Sequence, residues 1–235
     1  MQNRLGLSNT TACIDMPYGC SGYVYGLAMA KSFVNSKIAK NILFITADTS
    51  TKTLSKNDLE LRSIFSDAAS VTLISENNFE NIGDFVFGTD GSGWDSIYIS
   101  RSAFQSPIDS AFIEQENLQN GKMIMNGMDI FNFGLKVVPK LVYDTIEKNR
   151  LKFDDIDLFV FHQPSLFLLE TLRKKINIPE DKFFINIETH GNTVSTTIPL
   201  ALKDAEKEGK IKKGMTVLLV GFGIGFSWAG TIIKI

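Results

Sequence analysis

Several things are scarce in this sequence, and each scarcity narrows the reading. Among 235 residues there are only two cysteines, Cys13 and Cys20, too few for a disulfide framework and set in different local patterns. Reduced thiols in a reducing, cytoplasmic setting are the natural expectation. No apolar run reaches the roughly 18 residues that a bilayer-spanning helix needs. The opening Met1-Gln2-Asn3-Arg4 is not followed by the apolar region of a signal peptide, so a membrane partner is not expected. Excess charge of one sign is also missing: 24 Lys and Arg stand against 26 Asp and Glu, for a net charge of −2. Without a basic stripe to follow a phosphate backbone, nucleic acid is not an expected partner.

What is present is apolar. The hydrophobic share of 44% is enough to bury a sizeable core in one domain or two closely packed halves. Thr11 to Met16 suits a buried strand, broken by Pro17, Tyr18 and Gly19 before an apolar helix from Ser21 to Asn35. Strands are predicted at Asn41 to Thr46, Ala69 to Ser75 and Phe85 to Thr89. The stretch from Gly91 to Gly121 is rich in Gly, Ser, Asp and Gln and reads as a long surface excursion. Ile130, Phe133, Val137, Leu141 and Ile146 recur at helical spacing and predict a helix from about Asp129 to Asn149, bent at Pro139. There follow a strand at Leu158 to Phe161, a helix at Leu166 to Lys175, a strand at Phe183 to Ile187 and a helix at Ser195 to Glu208. Strands at Met215 to Val220 and Phe226 to Ile233 close an α/β order. Two halves each show strand, turn and helix with a reactive or polar residue at the turn, which suggests a duplicated α/β unit.

Four features could carry chemistry. Cys20 stands where strand meets helix, where unpaired N–H groups and the helix dipole are expected to lower a thiol pKa; a small buried cysteine packed under a helix is the bland alternative. Cys13, inside the predicted strand, reads as core. His162 should emerge from the carboxyl end of a buried strand, the edge where open α/β sheets place ligands, unless it is a hydrogen-bonded structural histidine. Asn192 lies in Thr189-His190-Gly191-Asn192-Thr193, which could equally be a simple turn before a helix capped by Thr193 or Ser195. Gly221-Phe222-Gly223-Ile224-Gly225 is a glycine turn between two apolar strands, either a plain hairpin or a source of backbone N–H groups for a developing oxyanion.

The order and context of these features resemble one family. Asp15-Met16-Pro17-Tyr18-Gly19-Cys20-Ser21-Gly22-Tyr23 is similar to the nucleophile segment of the β-ketoacyl-acyl-carrier-protein synthase III family. Phe65-Ser66-Asp67-Ala68-Ala69 resembles that family's Phe-Gly-Asp-Gly-Ala with its glycines replaced. Phe161-His162-Gln163-Pro164-Ser165 resembles its His-Gln motif. His190-Gly191-Asn192-Thr193, with Ser195 and Pro199, resembles its Gly-Asn-Thr motif, and Gly221 to Trp228 its final glycine-rich turn.

The resemblance implies an α/β, thiolase-like fold of two related halves, here about residues 1–120 and 121–235, with the N-terminal half incomplete because family members carry a further segment ahead of the nucleophile. It implies an acyltransferase of the ketoacyl synthase III type, in fatty-acid or specialised acyl-chain synthesis. Cys20 would take an acyl group from acyl-CoA and pass it to the carbanion made by decarboxylating malonyl-acyl-carrier protein or malonyl-CoA. His162 and Asn192 would complete the catalytic set, with Ile224, Gly223 and Phe222 lining the oxyanion and malonyl sites. No metal or bound cofactor is implied beyond the CoA thioester substrate, and a homodimer is expected. Ser165 and Phe167 replace the family's usual Asn and nearby basic residue, which removes a hydrogen bond and a charge that would attract an acidic carrier protein. An acyltransferase to an oxygen or nitrogen acceptor, and a truncated non-catalytic relative, are the alternatives.

Overall fold

The computed structural model describes residues 1–76, 81–99 and 121–235. Its main sheet contains the strand β6 (Leu158–Phe161), whose four residues are all buried. A continuous apolar run of this kind belongs in a strand covered on both faces. Strands β7 (Phe183–Phe184) and β8 (Thr216–Gly223) flank it in parallel, while β9 (Ser227–Lys234) runs antiparallel to β8. Strand β3 (Val86–Thr89) forms the edge, giving the order β3-β9-β8-β6-β7.

Alternation along these strands sorts the core into two layers. Phe159, Phe161, Leu218, Val220 and Phe222 pack with residues of α3 (Gly127–Lys148) and α4 (Leu166–Ile176). Leu158, Val160, Val217, Leu219 and Ala229 pack with α1 (Gly22–Asn35) and α6 (Thr197–Lys207) on the other side. Helices on both faces of a mixed sheet, parallel around β6 and antiparallel from β8 to β3, make the fold α/β, as expected.

Helices α3 and α4 carry their own start signals. Asn126 caps α3, its Oδ1 accepting from the Asp129 N–H at 3.3 Å. Ser165 caps α4 by accepting from the Leu168 N–H at 3.3 Å, so this replacement retains a hydrogen-bonding role.

Ahead of the main sheet, β1 (Asn41–Asp48) and β2 (Ala68–Ser75) pair antiparallel as a two-stranded ribbon, with α2 (Leu59–Ile64) between them in sequence. Helix α1 is wedged between ribbon and sheet, and Gly26 lets the Phe44 ring lie where a Cβ would come within 2.1 Å of it. This close fit accounts for the small residues on nearly every side of α1.

Three expectations are corrected here. Thr11 to Met16 is not a strand, and Cys13 is exposed rather than core. Among the described residues no strand lies alongside this segment to pair its backbone groups, and apolar composition alone does not make a strand. The strand predicted to Ile187 stops at Phe184 and gives way to the short helix α5 (Ile187–His190). There the Gln163 side chain takes the place of a strand neighbour, donating to the Phe184 carbonyl at 3.4 Å and accepting from the Asn186 N–H at 3.2 Å. Helix α6 starts at Thr197, after a 3₁₀ turn at Val194–Thr196 and without a side-chain cap.

The excursion from Gly91 opens with a 3₁₀ turn, Gly91–Gly93, and continues into β4 (Ile97–Ile99), which pairs antiparallel with β5 (Met123–Met125). The rest of that stretch, with the boundary expected at residue 120, lies outside the described residues. No helix among the described residues is long and apolar enough to cross a membrane.

Candidate active site

Cys20 stands at the mouth of α1, pressed against the end of β8. A Cβ on Gly223 would come within 2.6 Å of the Cys20 Cβ and 2.8 Å of its Sγ, and one on Gly221 within 2.9 Å of the Ser21 Cα. Glycine at both positions is what lets the strand end touch the thiol. The thiol is only 6% exposed, and burial pushes its pKa up to about 12, with the nearby Asp48 carboxylate acting in the same direction. The expected lowering is therefore overturned. The backbone N–H groups of Ile224 and of Cys20 itself do favour the thiolate, but desolvation outweighs them.

His162 follows directly on β6, and its N–H donates to the Val220 carbonyl at 2.7 Å, tying it to β8. The ring is locked on two sides: Nδ1 is hydrogen-bonded with Thr197 Oγ1 at 2.8 Å, and the Phe222 ring meets it edge-on at 5.8 Å between centroids. Burial drives the imidazole pKa down to about 3, a shift that the Val194 carbonyl opposes. The resting pair is thus a neutral thiol and a neutral imidazole.

Asn192 is held by its backbone. Its N–H donates to the Ile64 carbonyl at 2.8 Å, and its carbonyl accepts from the Ser66 N–H at 3.0 Å, forming a parallel bridge with Phe65. The Ser66 hydroxyl donates to the His190 carbonyl beside it. Gly191 makes the approach with φ +66°, a Cβ there falling 3.1 Å from the Ile64 carbonyl oxygen. Within the side chain, Oδ1 accepts from the Val194 N–H at 2.9 Å. The amide nitrogen is then the end left to donate to a substrate. Val194 adopts φ +55°, a left-handed conformation that β-branched residues seldom take.

The three side chains share one site through these neighbours. Val194 lies in a single apolar cluster with Cys20 and Phe65, Phe222 touches His162, and Gly223 touches Cys20. Phe222 is buried, and Ile224 lies at the turn between β8 and β9 with its N–H directed to Cys20.

Sequence reading missed the supports. Thr197 gives no signal of its own, being one of several hydroxyl residues after Asn192. Asp48, at the end of β1, accepts from the Ser195 N–H at 3.2 Å and also from its hydroxyl. Behind Asn192, Asp204 accepts from Asn186 Nδ2 at 3.0 Å and pairs with His190 Nε2 at 2.5 Å. Such long-range partners leave no spacing pattern to find.

A buried thiol at a helix mouth, an imidazole at a strand end and a backbone-clamped amide on this α/β frame define a class, the thiolase-like condensing enzymes that transfer acyl groups. Residues 14–91 match the sequence profile of 3-oxoacyl-[acyl-carrier-protein] synthase III, and residues 146–235 match that of its C-terminal part. The β-ketoacyl-[acyl-carrier-protein] synthase III of Clostridium tetani is 34% identical over 227 residues, covering 94% of this chain and 67% of that protein. The protein of the same name in Caldanaerobacter subterraneus subsp. tengcongensis is 33% identical over 236 residues, covering 100% and 70%. A crystal structure of a 3-oxoacyl-(acyl-carrier-protein) synthase III superposes with a TM-score of 0.93 at 38% identity, covering 100% of this chain and 72% of that one. The chain belongs to the β-ketoacyl-[acyl-carrier-protein] synthase III family.

Proposed function

We propose that this chain carries out the decarboxylative Claisen condensation of its family, with Cys20 as the nucleophile. The observation that carries the reading is the glycine-walled contact of Cys20 with the β8–β9 turn, which puts the thiol among backbone donors. In the first half-reaction Cys20 Sγ attacks the carbonyl of an acyl-CoA. The thiol proton ends on the departing CoA sulfur, so the half-reaction leaves no charge on the protein. The N–H groups of Cys20 and Ile224 stabilise the oxyanion of the tetrahedral intermediate.

In the second half-reaction a malonyl thioester, on acyl-carrier protein or CoA, loses carbon dioxide. The electron pair of the broken bond becomes an enolate, whose oxygen is hydrogen-bonded by His162 and Asn192 Nδ2. The enolate carbon then attacks the acyl group, the carbon–Sγ bond breaks, and the released thiolate takes up one proton. Phe222 withholds water from the carboxylate and favours its loss. This route places no demand on a metal or a resident cofactor. Homodimeric assembly belongs to the same reading.

One observation favours a specialised acceptor over a housekeeping one. Phe167 is 71% exposed and stacks on Phe131 at 5.3 Å, leaving an aromatic surface where the resemblance implies a basic one. A transfer to an oxygen or nitrogen acceptor would use the same first half-reaction without carbon dioxide release.

The experiment is intact-mass spectrometry of the chain mixed with acetyl-CoA and longer acyl-CoAs, with Cys20→Ala as control. A gain of one acyl group that vanishes in the variant is the expected result. Carbon dioxide release from malonyl-CoA and malonyl-acyl-carrier protein then separates condensation from simple transfer. A folded protein that gains no acyl group from any of them would sink the proposal.

A further inference from the structure

Ser21 occupies the N-cap of α1, the position where a serine ordinarily caps its own helix, yet it makes no cap hydrogen bond. Its hydroxyl lies instead 2.7 Å from Ser227 Oγ, more than two hundred residues away in sequence. Ser227 Oγ in turn donates to the Ile224 carbonyl at 2.8 Å. With the Ser227 proton so committed, Ser21 must be the donor of the first bond, and the two form a one-way chain, Ser21 to Ser227 to Ile224. Ser21 is completely buried and Ser227 nearly so.

Buried hydroxyl pairs are costly to keep unless every bond is made, and here every bond is made toward one backbone unit. That unit is the residue whose N–H faces the Cys20 sulfur. The chain also starts from the residue next to Cys20, so it joins the nucleophile's own helix to the turn opposite. It spans the contact where Gly221 and Gly223 leave no room for side chains.

The geometry points to Ser21 and Ser227 as positioning residues that hold the Ile224 turn in register with the nucleophile, so that the Ile224 N–H meets the sulfur and the oxyanion formed beside it. The inference rests on the reading of Cys20 as nucleophile. A serine after the cysteine is then no neutral filler. It exchanges a side-chain helix cap for a grip on the oxyanion site.

The test uses a reagent that needs no substrate. In a Cys13→Ala background, alkylation of Cys20 by iodoacetamide is followed across pH by intact mass. Ser227→Ala is expected to slow the reaction about tenfold, since the Ile224 N–H that favours the Cys20 thiolate is displaced. Ser21→Ala should slow it less, and the double variant no more than Ser227→Ala alone, because the two act as one chain. Ser227→Thr, which keeps the hydroxyl, should retain the parent rate. An unchanged or faster rate in Ser227→Ala, additive losses in the double variant, or a Ser227→Thr as slow as Ser227→Ala would each overturn the inference. Thermal melting of each variant distinguishes a loosened fold, which lowers the melting temperature without this pattern of rates. Absence of acyl transfer from acyl-CoA would instead count against the proposed function and leave the alkylation result standing.

Discussion

At the scale of single residues, the site is built from neutral groups kept neutral by burial. A thiol pushed up to about 12 and an imidazole pushed down to about 3 cannot form a resting ion pair. In the proposed reaction charge develops only with substrate bound, and the backbone N–H groups of Cys20 and Ile224 and the Asn192 amide are the donors offered to it. The buried histidine also has a consequence for stability. In the unfolded chain His162 regains its ordinary pKa near 6.5. Between about pH 3 and that value the unfolded state therefore binds a proton that the folded state does not. Stability contributed by the neutral ring is complete above pH 6.5 and falls as pH drops, with a slope of up to about 1.4 kcal/mol per pH unit. Burial would raise the Asp204 carboxyl, but hydrogen bonds from Asn186 and His190 together hold it low, so it pushes in the same direction at lower pH. Urea unfolding of the parent and of His162→Gln from pH 4.5 to 7.5 isolates the histidine share. The parent should lose more stability than the variant on going down in pH, and parallel curves would refute the assignment.

At the scale of elements, what was legible in the sequence depended on whether the cause was local. Strand β6 and helix α3 could be read because a buried apolar run and a helical apolar spacing are each written locally in the sequence. The predicted strand at Thr11 to Met16 failed because a strand exists only with a neighbour, and none lies beside it among the described residues. The candidate side chains Cys20, His162 and Asn192 were legible through motif order. Their supports, Thr197, Asp48 and the backbone of Ile64 and Ser66, were not, since each arrives from a distant element. The bridge between residues 64–66 and Asn192 shows what such a support does. Substituting Gly191→Ala would place a Cβ 3.1 Å from the Ile64 oxygen at φ +66°. The expected cost is about 1–2 kcal/mol of stability. The loss of function should be selective: carbon dioxide release from malonyl thioester falls because Asn192 shifts, while acylation of Cys20 continues. Equal losses in both half-reactions would show that the bridge serves the fold generally rather than Asn192.

At the scale of the whole molecule, the five-stranded sheet and the β1–β2 ribbon are unequally covered. The five-stranded sheet has a helical layer and an apolar cluster on each face. Among the described residues the β1–β2 ribbon has α1 on one face only, and on the other its register sets Leu43 opposite Leu73 and Ile45 opposite Val71. Leu43 is 45% exposed, Val71 61% and Leu73 62%. Alternation along both strands makes this a continuous apolar strip rather than scattered exposed residues, and such a strip favours association. The chain should therefore self-associate as its concentration rises, through this face. Sedimentation velocity over a hundredfold range of concentration should show the shift. Val71→Lys combined with Leu73→Lys places two like charges on the strip and should return the protein toward its smallest species, while leaving the far-UV spectrum unchanged. Association that persists unaltered in the double variant would place the contact elsewhere on the molecule, and an absence of association at every concentration would mean that three exposed aliphatic side chains are too small a patch to hold two copies together.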